Sequence, residues 1–291
     1  MLARRMPGIM PPLSREEAIE VTRLHSLAGL LEEGGGLITR PPFRAPHHSA
    51  SQEGVLGGGR QIRPGEISLA HRGLLFLDEA AEFRKNVLQA LREPLEDGLI
   101  TISRADGARR LPARFQLLMA VNPCPCGRLG LGDSSGCLCS SDDVRRYWKK
   151  IGGALIDRIE LRVPLPRDPV KQLPGEARGE SSSAIAQRVF RARQKQKERG
   201  KLNAFLGPFE IMNACMMNER ARGSLVRAVR LLGLSARAQA AVQRVARTIA
   251  DLDERPTILE NDILEAVQHR RYGDSPWDIL DCQRASSKAS R

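Results

Sequence analysis

Aromatic residues are scarce in this chain of 291, only 4%, which weighs against stacked bases as the main mode of any nucleic-acid contact. Long apolar runs are missing as well. Met1–Pro12 has no apolar stretch of the secretory kind, and the longest conspicuous uncharged run, Phe115–Gly127, contains Asn, two Pro and two Cys and is too short to span a bilayer. These absences point to a cytoplasmic protein without a membrane partner. Acidic charge is in deficit, with 34 Asp and Glu against 46 Lys and Arg. The formal charge of +12 favours a polyanion such as DNA, bound through phosphate contacts and counterion release. No internal repeat is visible.

What is present reads as globular. Hydrophobic residues make up 41% and charged residues 27%, and the length suffices for two domains whose core needs no disulfide. Six cysteines in a reducing compartment point away from disulfides, and four of them fall within 16 residues.

The stretch that organises the chain is Gly73-Leu74-Leu75-Phe76-Leu77-Asp78-Glu79. An apolar run this short, opened by Gly and closed by charge, predicts a strand buried on both faces of a parallel sheet. Paired acids at the carboxyl end of such a strand sit where open α/β sheets bind ligands. In this Walker B pattern Asp78 would hold Mg²⁺, usually through water, and Glu79 would orient or deprotonate a water attacking a γ-phosphate. The alternative is a core strand that happens to end in solvated acids.

Upstream, Met1–Met10 has a helix-like pattern without a cap, and Ser14 with Glu17 forms a capping box for a helix that carries Ala18, Val21, Leu24, Leu27 and Leu30 and ends at Gly34-Gly35-Gly36. Leu37–His48 is extended and punctuated by Pro, as an edge strand with its exit loop would be. Its His47-His48 pair has no carboxylate or Cys nearby in sequence and reads as loop histidines rather than ligands. Glu66–His71 predicts a helix leading into the central strand. Arg84–Asp97 is amphipathic, with Val87, Leu88, Leu91 and Leu95 on one face. Leu99–Ser103 and Leu111–Arg114 flank Asp106-Gly107, a β-hairpin whose turn region carries Arg104, Arg109 and Arg110.

Phe115–Val121 is a second apolar strand, and it ends in Asn122. An amide there can hold an attacking water or a γ-phosphate without adding charge; Asn is also a common strand terminator. Cys124-Pro125-Cys126 and Cys137-Leu138-Cys139 can supply four thiolates to one tetrahedral Zn²⁺, and the Gly- and Ser-rich loop between them has too few apolar residues to order itself without a metal. Cys215 and Cys282 read as ordinary thiols. Asp142–Lys150 is helical and basic, and Ile159–Val163 alternates as a strand. Arg158 therefore stands at a helix-to-strand corner from which a guanidinium can project, or simply be solvated. The Pro-rich stretch 167–183 reads as a linker, 184–272 as a helical bundle, and 273–291 as a disordered tail. Within the bundle Arg188–Lys201 is a basic helix, and Ser235 caps a helix whose first turn carries Arg237. A cation there opposes the helix dipole, and a phosphate ligand would explain it.

Taken together, these residues resemble the AAA+ ATPases of the magnesium-chelatase-like class, and within it the ComM/YifB branch. The carriers are Pro42–His48, Arg63–Ile67, Leu69–Gly73 running into Leu77-Asp78-Glu79, Asn122–Gly127, Leu155–Arg158 and Leu234–Ala238, which together cover about residues 1 to 272. The resemblance implies an α/β fold with an AAA+ parallel sheet core over 1–166, zinc-binding insertion included, and an all-α lid after it. It implies sensor 1 at Asn122, an arginine finger at Arg158 serving a neighbour's site, sensor 2 at Arg237 against the nucleotide phosphate, zinc on the four cysteines, and ATP with Mg as cofactor. It further implies a hexameric ring acting as a DNA motor, in branch migration or as a helicase during recombination or natural transformation, with the hairpin arginines facing DNA. One departure stands out: no Gly-Lys-Ser/Thr occurs in these residues, and the family's Walker A loop precedes the counterpart of Met1–Arg5. The core is therefore expected to lack the P-loop strand and to hydrolyse ATP weakly on its own. A non-catalytic DNA-binding or ring subunit, and a metal-chelatase motor, are the alternatives.

Overall fold

The computed structural model describes residues 2–31, 34–59, 62–104, 107–129, 136–165 and 179–271. Asp106, Cys282, the core of the expected linker and the expected tail lie outside them. The described chain divides into two compact units, one reaching Arg158 and the other beginning at Ile159.

In the first unit Ala3–Ile9 is a 3₁₀ turn rather than a regular helix, in keeping with Pro7, which offers no amide to an α-helical ladder. Helix α1, Arg15–Leu27, begins at the expected capping box, with the Ser14 hydroxyl accepting from the Glu17 amide and the Glu17 carboxylate accepting from the Ser14 amide. It stops before Leu30, because Gly29 takes a left-handed conformation at φ 70°. Strand β1 (Phe43–Arg44) follows, then α2 (Gln52–Leu56), the short antiparallel pair β2 (Gly57–Gly58) and β3 (Arg63–Pro64), and α3 (Glu66–Leu69). Strand β4 is Leu74–Leu77.

Helices α4 (Lys85–Ala90) and α5 (Arg92–Asp97) occupy the stretch that the sequence pattern reads as one helix. The break has a cause: Pro94 crowds the carbonyl four residues back, at Ala90, and has no amide to give it. The hairpin pairs β5 (Leu99–Arg104) with β6 (Gly107–Pro112), and β7 (Gln116–Met119) completes a parallel sheet of order β1-β4-β7. Helices α6 (Ser141–Ile151) and α7 (Gly153–Ile156) close the unit.

Strand β4 is central: Leu74, Leu75 and Leu77 are fully buried, Leu75 and Leu77 in one core with Val87, Leu88, Leu91, Ile151 and Leu155. Each such leucine contributes about 2 kcal/mol by burial. A second anchor is polar. His71 is buried, accepts the Arg114 amide on Nδ1 at 3.0 Å and lies 3.0 Å from Glu20 through Nε2. Because Nδ1 accepts, the ring is neutral with its proton on Nε2, donated to Glu20. Arg72 reaches the same carboxylate at 2.9 Å. This ties α1 to the turns that enter β4 and β7.

The second unit holds α8 (Ser182–Glu198), α9 (Pro208–Ala214), α10 (Glu219–Leu232), α11 (Ala236–Leu252) and α12 (Glu260–Arg271). Its core is Ile211, Val242, Ala246, Ala250, Ile258, Ile263 and Ala266. Asp251 is fully buried and takes Arg199, Arg247 and Asn203. The expected strand at Ile159–Val163 is not one. The Arg162 amide donates to the His269 carbonyl at 2.9 Å, and Arg270 reaches the Ile159 carbonyl at 3.1 Å, so the end of α12 takes backbone groups that a sheet would need. Alternation of side chains does not specify a partner. No helix among the described residues is long and apolar enough to cross a membrane.

Candidate functional site

Because β1, β4 and β7 run parallel, the residues that follow them emerge on one edge of the sheet. Register fixes the spacing. Leu77 pairs with Met119, the Ala120 amide donates to the Leu77 carbonyl at 3.0 Å, and the Ala80 amide donates back to the Ala120 carbonyl at 2.9 Å. Asp78 and Glu79 are thus bracketed by hydrogen bonds to the segment that leads to Asn122. Both acids are exposed, as is Asn122. One Asp78 oxygen accepts the Glu79 amide at 3.1 Å, which leaves the other free to bind a hydrated cation. Glu79 has φ 50° and ψ 46°, a left-handed backbone that a residue with a side chain adopts at a cost.

Asn122 is placed by its surroundings. The Tyr147 phenol hydrogen-bonds the Asn122 backbone, which acts to lower its pKa, but burial first and then the charge of Glu82 push it up to about 12. A Cβ on Gly127 would sit 3.8 Å from the Asn122 amide, so the cysteine loop folds back over this residue.

The four cysteines converge. Their sulfurs all lie within 4.8 Å of one another, with Cys124 3.4 Å from Cys126 and 3.8 Å from Cys137, and Cys126 3.6 Å from Cys137. A tetrahedral zinc with bonds of about 2.3 Å has sulfur–sulfur edges of ~3.8 Å, so the set fits that ion. Around the set, the Leu129 amide donates to the Cys124 sulfur at 3.3 Å, and Trp148 anchors the loop through Nε1 to the Pro123 carbonyl at 3.1 Å. The Cys126 thiol is drawn down to about 6, by the Arg128 amide and then by Cys124. Cys139 moves oppositely: the Cys126 amide acts to lower it, but the neighbouring sulfurs, Cys126 first, push it up to about 12. Thiols this close resist becoming anions together, and a divalent cation removes that resistance.

Arg158 does not project from its corner. Its Nη2 meets Glu96 at 2.6 Å and its Nη1 the Ala154 carbonyl at 2.5 Å, while Nε is buried without a hydrogen-bond partner. Arg237 is exposed in the first turn of α11, capped as expected by Ser235, which accepts the Ala238 amide at 3.2 Å. In the hairpin Arg109 lies opposite Ile102 and Arg110 opposite Thr101, so the two exposed arginines face opposite sides of the ribbon; Arg104 pairs with Gly107. Sequence reasoning missed two partners. His48 stands 3.5 Å from Glu79, and Glu96 holds Arg158. The signal for His48 was its place just past β1, on the sheet edge that carries Glu79; Glu96 gave none.

Residues 1–173 match the family described as magnesium chelatase, subunit ChlI, and residues 179–270 match the C-terminal part of that subunit. The chain belongs to the magnesium chelatase ChlI family. The α/β core and the helical unit after it accord with an AAA+ architecture. It is 42% identical to the competence protein ComM of Haemophilus influenzae over 273 residues, 93% of this chain and 53% of ComM. Identity to YifB of Escherichia coli is also 42%, over 272 residues, 93% of this chain and 53% of YifB. A shorter similarity, 34% over 86 residues, links 26% of the chain to 11% of the maternal DNA replication licensing factor mcm3 of Xenopus laevis. The chain spans about half the length of the ComM and YifB relatives. Membership of the ChlI family suggests a nucleotide with Mg as ligand, and the cysteine set is compatible with zinc.

Proposed function

We propose that the chain is part of a DNA-acting ATPase of the ComM/YifB type, working in a ring. The observation that carries this reading is the placement of Asp78, Glu79 and Asn122 side by side on the carboxyl edge of a three-stranded parallel sheet. Asp78 would hold the hydrated Mg²⁺ of bound ATP, which supplies charge neutralisation at the phosphates. Glu79 would take the proton of an attacking water, and Asn122 would orient that water. Arg158, released from Glu96, would serve a neighbouring subunit, and Arg237 would meet a phosphate from the helical unit. The four cysteines would hold one structural zinc, and the hairpin arginines would contact DNA phosphates.

ATP turnover tests the reading. The 291 residues, and the same chain extended upstream through a Gly-Lys-Ser/Thr loop, are assayed with and without DNA. The extended chain should hydrolyse ATP with stimulation by DNA, and Glu79→Gln should abolish turnover while sparing binding. Absence of DNA-stimulated ATP turnover in the extended chain would sink the reading. DNA affinity should fall steeply with salt, and because Arg109 and Arg110 face opposite sides, their single charge reversals should have unequal effects on the salt slope. The ChlI match favours tetrapyrrole metallation as a second reading, and stimulation by a porphyrin instead of DNA would select it.

A further inference from the structure

We propose that His48 is a positioning residue for Glu79, fixing the carboxylate that a backbone hydrogen-bond frame has left free to swing. The inference rests on the reading of this edge as an ATP-hydrolysing site.

The backbone of Glu79 is held from several directions. Its amide donates to Asp78, its carbonyl accepts the Glu82 amide at 2.7 Å, and the next amide, Ala80, is bound to Ala120. The side chain is different. It is 54% exposed, and the Nδ1 of His48 is 3.5 Å from its Oε2. A left-handed glutamate with a hydrogen-bonded backbone and a half-exposed carboxylate has its base placed only to within the reach of its rotamers.

His48 is itself braced. Its ring lies 4.1 Å from that of His47, centroid to centroid, with 34° between the planes. His47 is anchored in turn: its Nδ1 accepts the Ser49 amide at 3.3 Å and lies 2.7 Å from the Ser49 hydroxyl. The Ala50 amide closes the turn on the His47 carbonyl at 2.9 Å. The result is a chain of contacts running Ser49, His47, His48, Glu79. It starts just past β1, the strand beside β4, so sheet register brings it to the acid. A separation of 3.5 Å closes to a hydrogen bond by a small rotation of either side chain, the kind of tightening expected when a ligand fills a site. His48 does not touch the reacting atoms in this arrangement. It limits where the Glu79 carboxylate can be.

Two measurements separate this role from the reading it rests on. In the 291-residue chain labelled with ¹⁵N-histidine, Glu79→Gln should move the imidazole nitrogen resonances of His48 and leave those of His25 and His71 in place; no movement of His48 overturns the proposal. In the chain extended through the phosphate loop, His48→Ala should lower kcat for ATP by about 10-fold with KM little changed, and His48→Asn, which keeps a donor near the Nδ1 position, should recover most of the loss. Equal kcat in His48→Ala and the parent overturns the role of His48 alone. Absence of ATP turnover in the parent overturns the hydrolytic reading and the positioning role with it, whether or not the resonances move.

Discussion

Arg158 and Glu96 are joined by a 2.6 Å contact between Nη2 and Oε1, and the arginine is the more hidden partner, its side chain 12% exposed against 36%. Partial burial makes such a pair stronger than a surface one. Arg158→Ala and Glu96→Ala should each destabilise the first unit in urea, and the double variant should lose about 1 kcal/mol less than the sum of the two. Strict additivity would mark the contact as incidental. Any role of Arg158 toward a neighbour first requires this contact to open.

The His71 imidazole is held below its ordinary value of 6.5, mainly by burial, although the hydrogen bond to Glu20 works in the opposite direction. A depressed basic group favours the folded state while it stays neutral. Its contribution is complete above about pH 6.5 and is lost as pH falls through the lower folded value. Glu20 acts with the same sign further into acid, since burial would raise it but hydrogen bonds from Arg72 and His71 lower it on balance. Thermal melts between pH 8 and pH 5 should show stability dropping toward acid, and His71→Gln should flatten the upper part of that slope.

Asp251 sits wholly inside the second unit between Arg199 and Arg247, with Asn203 completing its shell at 2.8 Å. Asp251→Asn preserves the shape and deletes the charge, leaving a guanidinium that is 1% exposed without its counter-ion. The expected cost is about 3 kcal/mol, read by urea denaturation. A loss under 0.5 kcal/mol would mean that the Arg247 bonds to the Pro256 and Arg255 carbonyls suffice.

Elemental analysis should find one zinc per chain, and Cys124→Ser, at the most buried of the four sulfurs, should release it. Loss of the metal should also loosen Asn122, two residues away and adjacent to Gly127, seen as faster amide exchange around residues 120–128.

Much of this was legible because its causes are local. Ser14 with Glu17, Ser235 with Ala238, the apolar run Leu74–Leu77 and the paired strands around Asp106 are each decided within a few residues, and the structure has an element at each of these places. The Cys-x-Cys pairs announced their convergence through residue type. What could not be read depends on partners remote in the chain. Ile159–Val163 has strand-like alternation, yet the end of α12, more than 100 residues on, takes its backbone groups. Nothing near Arg158 in sequence says whether its guanidinium projects or is solvated, because Glu96, which holds it, is 62 residues away. His47 and His48 look like plain loop residues in sequence, since only the parallel register of β1 and β4 brings one of them to Glu79.

The left-handed backbone at Glu79 has a consequence for selection. Glycine or asparagine occupies that region at less cost, so Glu79→Asn should raise stability by about 1 kcal/mol. A search for heat-resistant variants that ignored activity would abandon this glutamate early, and the same search run under a demand for nucleotide hydrolysis would keep it. The two outcomes together would weigh the residue's usefulness against its conformational misfit.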